Sequence, residues 1–258
     1  MPSAGSEPPI AAGTTLRVEV LSVVFQIRVP QIRVPQISVT QDAAPDPECR
    51  SDTTDPSLCV LVSRSADGVW TLPGGGVGAD ETLSASARRL VADSLDVREI
   101  AHLEQLSVFS DPRRVPAVRT IASTYMGLVP SDAAATPPDD AAGWFAVDEL
   151  PPLAFDHTEI VDAARHRLAA KLSYTNIAFA LAPARFPMSA LSEIYCAALG
   201  YPVDTTNLLR ILSRRAVVVA TGTVGKTGRS GGRPPALYAF AEKELRVTDE
   251  FATLRPPM

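Results

Sequence analysis

Residues 72–81, Leu-Pro-Gly-Gly-Gly-Val-Gly-Ala-Asp-Glu, run directly into a helical stretch from Thr82 to about Leu95. The glycines let the backbone turn tightly and approach neighbouring strands. Leu83, Ala87, Leu90, Val91 and Leu95 then line one broad helical face. A turn of this kind feeding an amphipathic helix needs a sheet to pack on, and the flanking segments supply one. Leu16–Phe25, Leu58–Ser63, Val69–Leu72, Glu104–Phe109 and Thr120–Val129 read as strands. Asp156-His-Thr-Glu159 resembles a capping box opening a second helix, with Ile160, Val161, Ala164, Leu168 and Leu172 on its apolar face. The expectation is an α/β fold, an α/β/α sandwich over about 15–155 with 156–180 as a connecting helix. His157 and His166 fall on that helix or its cap and read as structural.

Composition narrows the classes. Hydrophobic residues make up 46% and charged residues 21%, ordinary for a globular chain with a sizeable core. A net charge of -5 excludes a wholly basic nucleic-acid coat, so any such site is local. Cys49, Cys59 and Cys196 show no metal-ligand spacing and read as reduced thiols. Residues 1–14 are expected to be a disordered tail. The chain shows neither a signal-peptide pattern nor an apolar run of about 20 residues, which predicts a cytoplasmic protein without membrane contact. Gln26-Ile-Arg-Val-Pro30 is repeated as Gln31-Ile-Arg-Val-Pro35. Because proline removes a ladder donor, residues 26–56 are expected to be an inserted edge or loop and not a central strand.

The character changes over residues 181–258. A helix over about 187–199, the turn Gly200-Tyr-Pro202, a helix capped near Asp204, a strand at 217–220 and a returning strand at 236–240 follow the order of a winged helix-turn-helix. Arg210, Arg214, Arg215, Lys226, Arg229 and Arg233 fall between residues 205 and 233, where no acidic residue intervenes. Thr205, Thr206 and Asn207 open the second helix. Such residues suit major-groove entry with phosphate clamping by a basic wing. A basic cluster alone would equally suit the solvated face of a small dimerisation domain; the element order favours DNA. Gly225-Lys-Thr-Gly228 lacks the phosphate-loop spacing and the helix that should follow it, which excludes triphosphate binding there.

The Gly75, Glu81 and Arg89 spacing resembles the first half of the Nudix box. In that family the frame continues with several glutamates that hold Mg²⁺ against a substrate diphosphate. Here it reads Arg89-Leu-Val-Ala-Asp93-Ser-Leu-Asp-Val97. Leu90 and Ser94 stand where glutamates belong, and Asp93 is a shortened third. Mg²⁺ requires oxygen ligands in near-octahedral array, so Glu81 and Asp93 are only weak metal candidates. The expectation is no metal, no catalytic residue and no required cofactor. Arg64, Gly75, Gly76 and Arg89 are candidates to grip a diphosphate, with Phe109 as a stacking or packing partner. Arg89 has an alternative role, orienting Glu81 through an internal ion pair.

A degenerate Nudix domain followed by a winged helix is similar to the NrtR family, the Nudix-related transcriptional regulators of NAD metabolism. The resemblance rests on Leu72–Gly76, Leu103-Glu-Gln-Leu106 with Asp111-Pro112, Leu150–His157, Lys171-Leu-Ser-Tyr174 with Ala178-Phe179, Phe186, Gly200–Asn207, and Gly232-Arg-Pro with Leu237-Tyr238. It implies a homodimeric repressor of NAD biosynthesis or salvage genes. Its Nudix domain would sense ADP-ribose or a related NAD-derived nucleotide and release double-stranded operator DNA. The alternatives are an active ADP-ribose or nucleotide-sugar pyrophosphatase, and a nucleotide sensor acting through protein partners.

Overall fold

The computed structural model describes residues 16–29, 55–95, 100–135, 137, 141–225 and 234–250. In chain order the elements are β1 (Arg17–Arg28), β2 (Ser57–Arg64), β3 (Trp70–Thr71), β4 (Gly74–Gly76), α1 (Leu83–Leu95), β5 (His102–Phe109), β6 (Thr120–Val129), β7 (Ala142–Ala146) and α2 (His157–Tyr174). There follow β8 (Phe186–Pro187), α3 (Met188–Leu199), α4 (Thr205–Arg214), β9 (Val218–Val224) and β10 (Ala236–Phe240).

The first seven strands form one mixed sheet, ordered β3-β2-β1-β6-β5, with β4 also paired to β1 and β7 to β2. Strand β1 is central, parallel to β6 from Arg17↔Thr120 to Gln26↔Val129 and antiparallel to β2. A strand covered on both faces must be apolar on both, and residues 19–27 are all buried. Leu21, Val23 and Phe25 join Ile160, Val161, Ala164 and Leu168 of α2 on one face. Val20 packs with Ala87 of α1, and Val24 with Val91, on the other. Each large aliphatic side chain so buried contributes about 1.5–3 kcal/mol. The result is the α/β/α sandwich anticipated above. Helix α2 is its second helical layer, rather than a connector outside the domain.

Strand β1 corrects the reading of the repeat. Gln26, Ile27 and Arg28 pair with Cys59, Leu58 and Ser57 in the central strand, so the insertion cannot begin at residue 26. Among the described residues the pairing with β2 runs as far as Arg28↔Ser57. The buried Gln26 amide donates to the carbonyls of Pro130 and Ala133, and Arg28 Nη1 donates to that of Ala135. The remainder of the repeat, from 30 on, lies outside the described residues, as do residues 1–15. The capping box is also corrected. Asp156 is the N-cap of α2 but makes no side-chain cap bond, because its carboxylate is held by Arg114.

Helices α3 and α4 with the sheet β8-β10-β9 form the winged helix. Strand β9 runs four residues beyond the expected Ala220, passing through Gly222 at φ 73°. The main hydrophobic cluster is continuous from Phe25 and Leu58 through Leu168 to Leu191, Ile194, Leu208 and Leu212. The two units therefore share a core, and α3 contacts β1 and β2 directly. After β10 the chain returns to the end of α2. Asn176, 2% exposed, donates to the Glu244 carbonyl and accepts from the Arg246 amide, and Thr248 N donates to Tyr174 O. Among the described residues, no helix is long and apolar enough to cross a membrane.

Candidate functional site

The glycine turn is anchored on both sides. Gly74, Gly75 and Gly76 pair with Leu21, Val20 and Glu19. A Cβ on Gly74 would lie 2.5 Å from both Val20 O and a Leu21 methyl, so only glycine fits there. Ser22 N donates to Pro73 O at 2.8 Å, and Leu72 N donates to His157 Nδ1 at 3.0 Å. His157 is therefore structural; burial lowers its pKa, in keeping with a neutral ring. His166 is exposed and turned to the Asp162 carbonyl of its own helix.

Beyond the turn, Glu81 is enclosed by donors. Arg89 Nε donates to Oε1 at 2.7 Å, while Arg89 Nη2, Ser86 Oγ and Gly78 N donate to Oε2 at 2.8, 2.7 and 3.3 Å. The Arg89 bonds, then that of Ser86, hold the Glu81 carboxyl at about 2. Arg89 is in turn raised by Glu81 and lies 3.6 Å from Asp93, whose side chain is 66% exposed. The ion pair weighed above as the alternative for Arg89 is thus present. Leu90, at a position where the Nudix frame carries glutamate, lies under the turn: a Cβ on Gly75 would sit 2.9 Å from Leu90 Cδ2. Among the described residues no group of three or more His, Cys, Asp or Glu gathers at metal-binding distance.

Beside the turn is a buried triad that sequence reasoning missed. Arg114, in the β5–β6 loop with its side chain 1% exposed, donates through Nη1 to Glu19 at 2.7 Å. Through Nε and Nη2 it donates to both oxygens of Asp156, at 2.8 and 2.7 Å. Burial opposes its charge, but the Asp156 and Glu19 bonds outweigh that and raise its pKa. Glu19 pairs across the ladder with Gly76, and Asp156 starts α2, so the triad ties turn, loop and helix together. Asp156 lies within the quoted Leu150–His157 motif, which was the available signal; nothing distinguished Arg114 from Arg113.

The other expected ligand residues fall into two groups. Arg64 is exposed at the end of β2, its guanidinium 4.5 Å over the ring of Trp70. Trp70 bridges Leu153 and accepts a hydrogen bond from Ala154 N, which brings Arg64, the turn and the segment before α2 to one end of the sheet. Phe109 is not placed there as an open stacking ring; half-buried, it packs on the main core. Two motifs far apart in the chain also meet. Glu104 accepts from Lys171 Nζ and pairs with His102 Nε2, each at 2.9 Å. Burial opposes the Glu104 charge, yet these contacts leave its pKa lowered.

In the winged helix, Gly200 ends α3 in the left-handed region at φ 76°. Asp204 caps α4 by accepting from Asn207 N at 2.7 Å. Leu208 and Leu212 are buried, while Thr206, Asn207, Arg210, Ser213 and Arg214 are exposed along one face. Arg210 Nη2 donates to Asn207 Oδ1 at 2.7 Å. Thr205 is half-buried. Arg215, expected on the DNA face, is turned inward: Nη2 meets Asp249 at 2.6 Å and Nη1 donates to Ser173 O at 3.1 Å. Lys226, Arg229 and Arg233 lie outside the described residues. Cys59 is buried and Cys196 half-buried; Cys196 Sγ accepts from Val203 N at 3.1 Å, a structural bond in the helix–helix turn.

Comparison with known proteins agrees with this architecture. A family model described as the NUDIX domain matches residues 49–164, and one described as the NrtR DNA-binding winged helix domain matches residues 178–240. The chain is 30% identical over 194 residues to the ADPR responsive transcriptional repressor NtrR of Acinetobacter baylyi, covering 70% of this chain and 75% of that protein. Among solved structures, Shewanella oneidensis NrtR gives a TM-score of 0.66 at 22% identity, covering 86% of this chain and 93% of that one. The same protein complexed with a 27mer DNA gives 0.65 at the same identity and coverage. A MutT/nudix family protein of Enterococcus faecalis gives 0.64 at 18% identity, covering 89% and 90%. The structural matches carry the fold. Taken with the winged-helix match and the Acinetobacter relative, they leave one conclusion: the chain belongs to the NrtR family of Nudix-related transcriptional regulators.

Proposed function

We propose that this chain is a cytoplasmic, homodimeric repressor of NAD biosynthesis or salvage genes. Its Nudix domain binds ADP-ribose or a related NAD-derived nucleotide without cleaving it. The observation that carries the second half is the Glu81 environment. Both of its oxygens are occupied by Arg89, Ser86 and Gly78, and Leu90 puts hydrocarbon under the turn. A Mg²⁺ ion needs several anionic oxygens free to converge, and the residues present do not fit one. What they retain is a turn whose Gly76 has nothing within 4 Å of its Cβ position, and the exposed cation Arg64 on a neighbouring strand.

The DNA half of the reading rests on the exposed face of α4, where Thr206, Asn207, Arg210 and Arg214 present hydrogen-bond donors and positive charge. The half-buried Thr205 and the wing residues Lys226, Arg229 and Arg233 belong to the same proposed surface. Arg215 acts instead through its inward contacts. Helix α2, about 27 Å long from its 18 residues, has Asp156 and His157 at the turn. At its far end, Ser173 and Tyr174 hold Arg215 and Thr248. A nucleotide at the turn shifts the DNA-bound state only by binding one placement of the two winged helices more tightly than the other. The relatives support this reading: the Acinetobacter protein is named an ADPR-responsive repressor, and Shewanella NrtR has been crystallised with DNA.

A gel shift on DNA upstream of the protein's own gene and of NAD-synthesis genes tests both halves. The expected result is a salt-sensitive complex that ADP-ribose dissolves, with no AMP released from ADP-ribose in Mg²⁺. Steady Mg²⁺-dependent AMP release abolished in Glu81→Gln would instead identify a pyrophosphatase. Absence of any complex with these DNAs would remove the repressor reading.

A further inference from the structure

Phe155 is the anomaly of the sandwich. The residue is 60% exposed, and its backbone sits in the left-handed region at φ 51°, a conformation disfavoured for a bulky side chain. The ring gains little there, since its described aromatic contact is an edge-on approach to His157 at 6.1 Å. The strain is imposed from both sides. Before it, Leu153 bridges Trp70 and Ala154 N donates to Trp70 O at 2.9 Å. After it, Asp156 is chelated by Arg114 and His157 accepts from Leu72 N. A loop pinned on both flanks by the glycine turn and a buried ion triad thus holds an aromatic face out to solvent. It does so at the end of the sheet that carries Arg64 and the open Gly76.

We propose that Phe155 is the stacking platform for the nucleobase of the effector, its ring preset by the Arg114–Asp156 pair and the Trp70 bridge. The inference rests on the nucleotide-sensing function proposed above and assigns the base, rather than the phosphates, to this position. An exposed planar ring suits a flat π-system; it offers nothing to a diphosphate, for which Arg64 and the turn are the matching chemistry. Phe109, the stacking candidate expected from the sequence, is half-buried against the core and presents less open ring than Phe155.

The test is calorimetric binding of ADP-ribose to the full chain and to Phe155→Gly and Phe155→Trp, with inorganic pyrophosphate as a base-free competitor. Glycine removes the ring and relieves the left-handed strain, so Phe155→Gly keeps or raises the melting temperature while ADP-ribose affinity falls about tenfold. Its pyrophosphate competition stays within twofold of the parent. Phe155→Trp retains ADP-ribose affinity and adds an indole whose fluorescence the nucleotide quenches. Parent-like ADP-ribose affinity in Phe155→Gly, or equal losses for ADP-ribose and pyrophosphate, overturns the assignment. A parent that binds DNA but not ADP-ribose overturns the sensing function as well, so the two failures are distinguishable.

Discussion

Arg114 and Asp156, 42 residues apart, face each other through two parallel hydrogen bonds of 2.8 and 2.7 Å, and the remaining arm of the guanidinium reaches Glu19. This arrangement decides where α2 begins relative to the glycine turn. The fork geometry explains why arginine is present: a lysine ammonium cannot meet both Asp156 oxygens and Glu19 together.

Arg114→Ala leaves two carboxylates in a largely buried site without their cation. Removing one partner of a buried ion network costs about 3–5 kcal/mol, so urea unfolding should show the extrapolated unfolding free energy lowered by that amount. Arg113→Ala, at a side chain 92% exposed, should change stability by less than about 0.5 kcal/mol. Equal effects of the two substitutions would contradict the triad's structural role.

Glu81 makes stability depend on acid. Its carboxyl titrates at about 2 in the folded protein, against an ordinary 4.5, because Arg89 and Ser86 bind the ionised form. A lowered folded-state pKa means stabilisation that is fully present above the ordinary value and is lost as pH falls toward the folded one. Glu81→Gln lacks this contribution. The melting-temperature gap between parent and variant should be constant above pH 4.5 and close as pH falls toward 2. A gap independent of pH across that window would mean that Arg89 does not hold the ionised carboxylate.

What could be read in the chain follows the range of each interaction. The turn, its Glu81–Arg89 pair and α1 are local, so spacing reveals them. The same holds for α4, with its cap at Asp204 and apolar Leu208 and Leu212. Arg114 and Arg215 were opaque for the opposite reason: their partners Glu19 and Asp249 lie 95 and 34 residues away, and one arginine in a basic cluster resembles the next. The prolines of the repeat point to a loop from Gln26, but Gln26, Ile27 and Arg28 pair with Cys59, Leu58 and Ser57, a long-range register that the local pattern does not reveal.

The inward turn of Arg215, which caps α4, sets it apart from the basic residues on the helix itself. Arg210→Ala and Arg214→Ala each remove a charge from the exposed face, and each should lower the salt dependence of DNA binding by about one unit of log–log slope if the side chain meets a phosphate. Asn207→Ala should alter sequence preference by about 1–3 kcal/mol at the affected base pair. Arg215→Ala should leave the salt slope unchanged and reduce thermal stability. A drop in slope for Arg215→Ala would place its guanidinium on DNA instead of on Asp249.

A strap returns from β10 to the end of α2. The Asn176 side chain donates to Glu244 O at 2.9 Å and accepts from Arg246 N at 2.7 Å, and Asp249 further along meets Arg215 at 2.6 Å. Both contacts hold one segment against the junction of α2 with the winged helix, so their energies should not add. Asn176→Ala loses two hydrogen bonds at a buried site, a cost of about 1–3 kcal/mol. If that change frees the strap, Asp249→Ala has less left to remove in the double variant than in the parent. A double-mutant cycle on unfolding should therefore give a coupling of about 0.5–3 kcal/mol, with faster amide exchange at Arg246 and Thr248 in either single variant. Strict additivity would show two independent contacts and no strap acting as a unit.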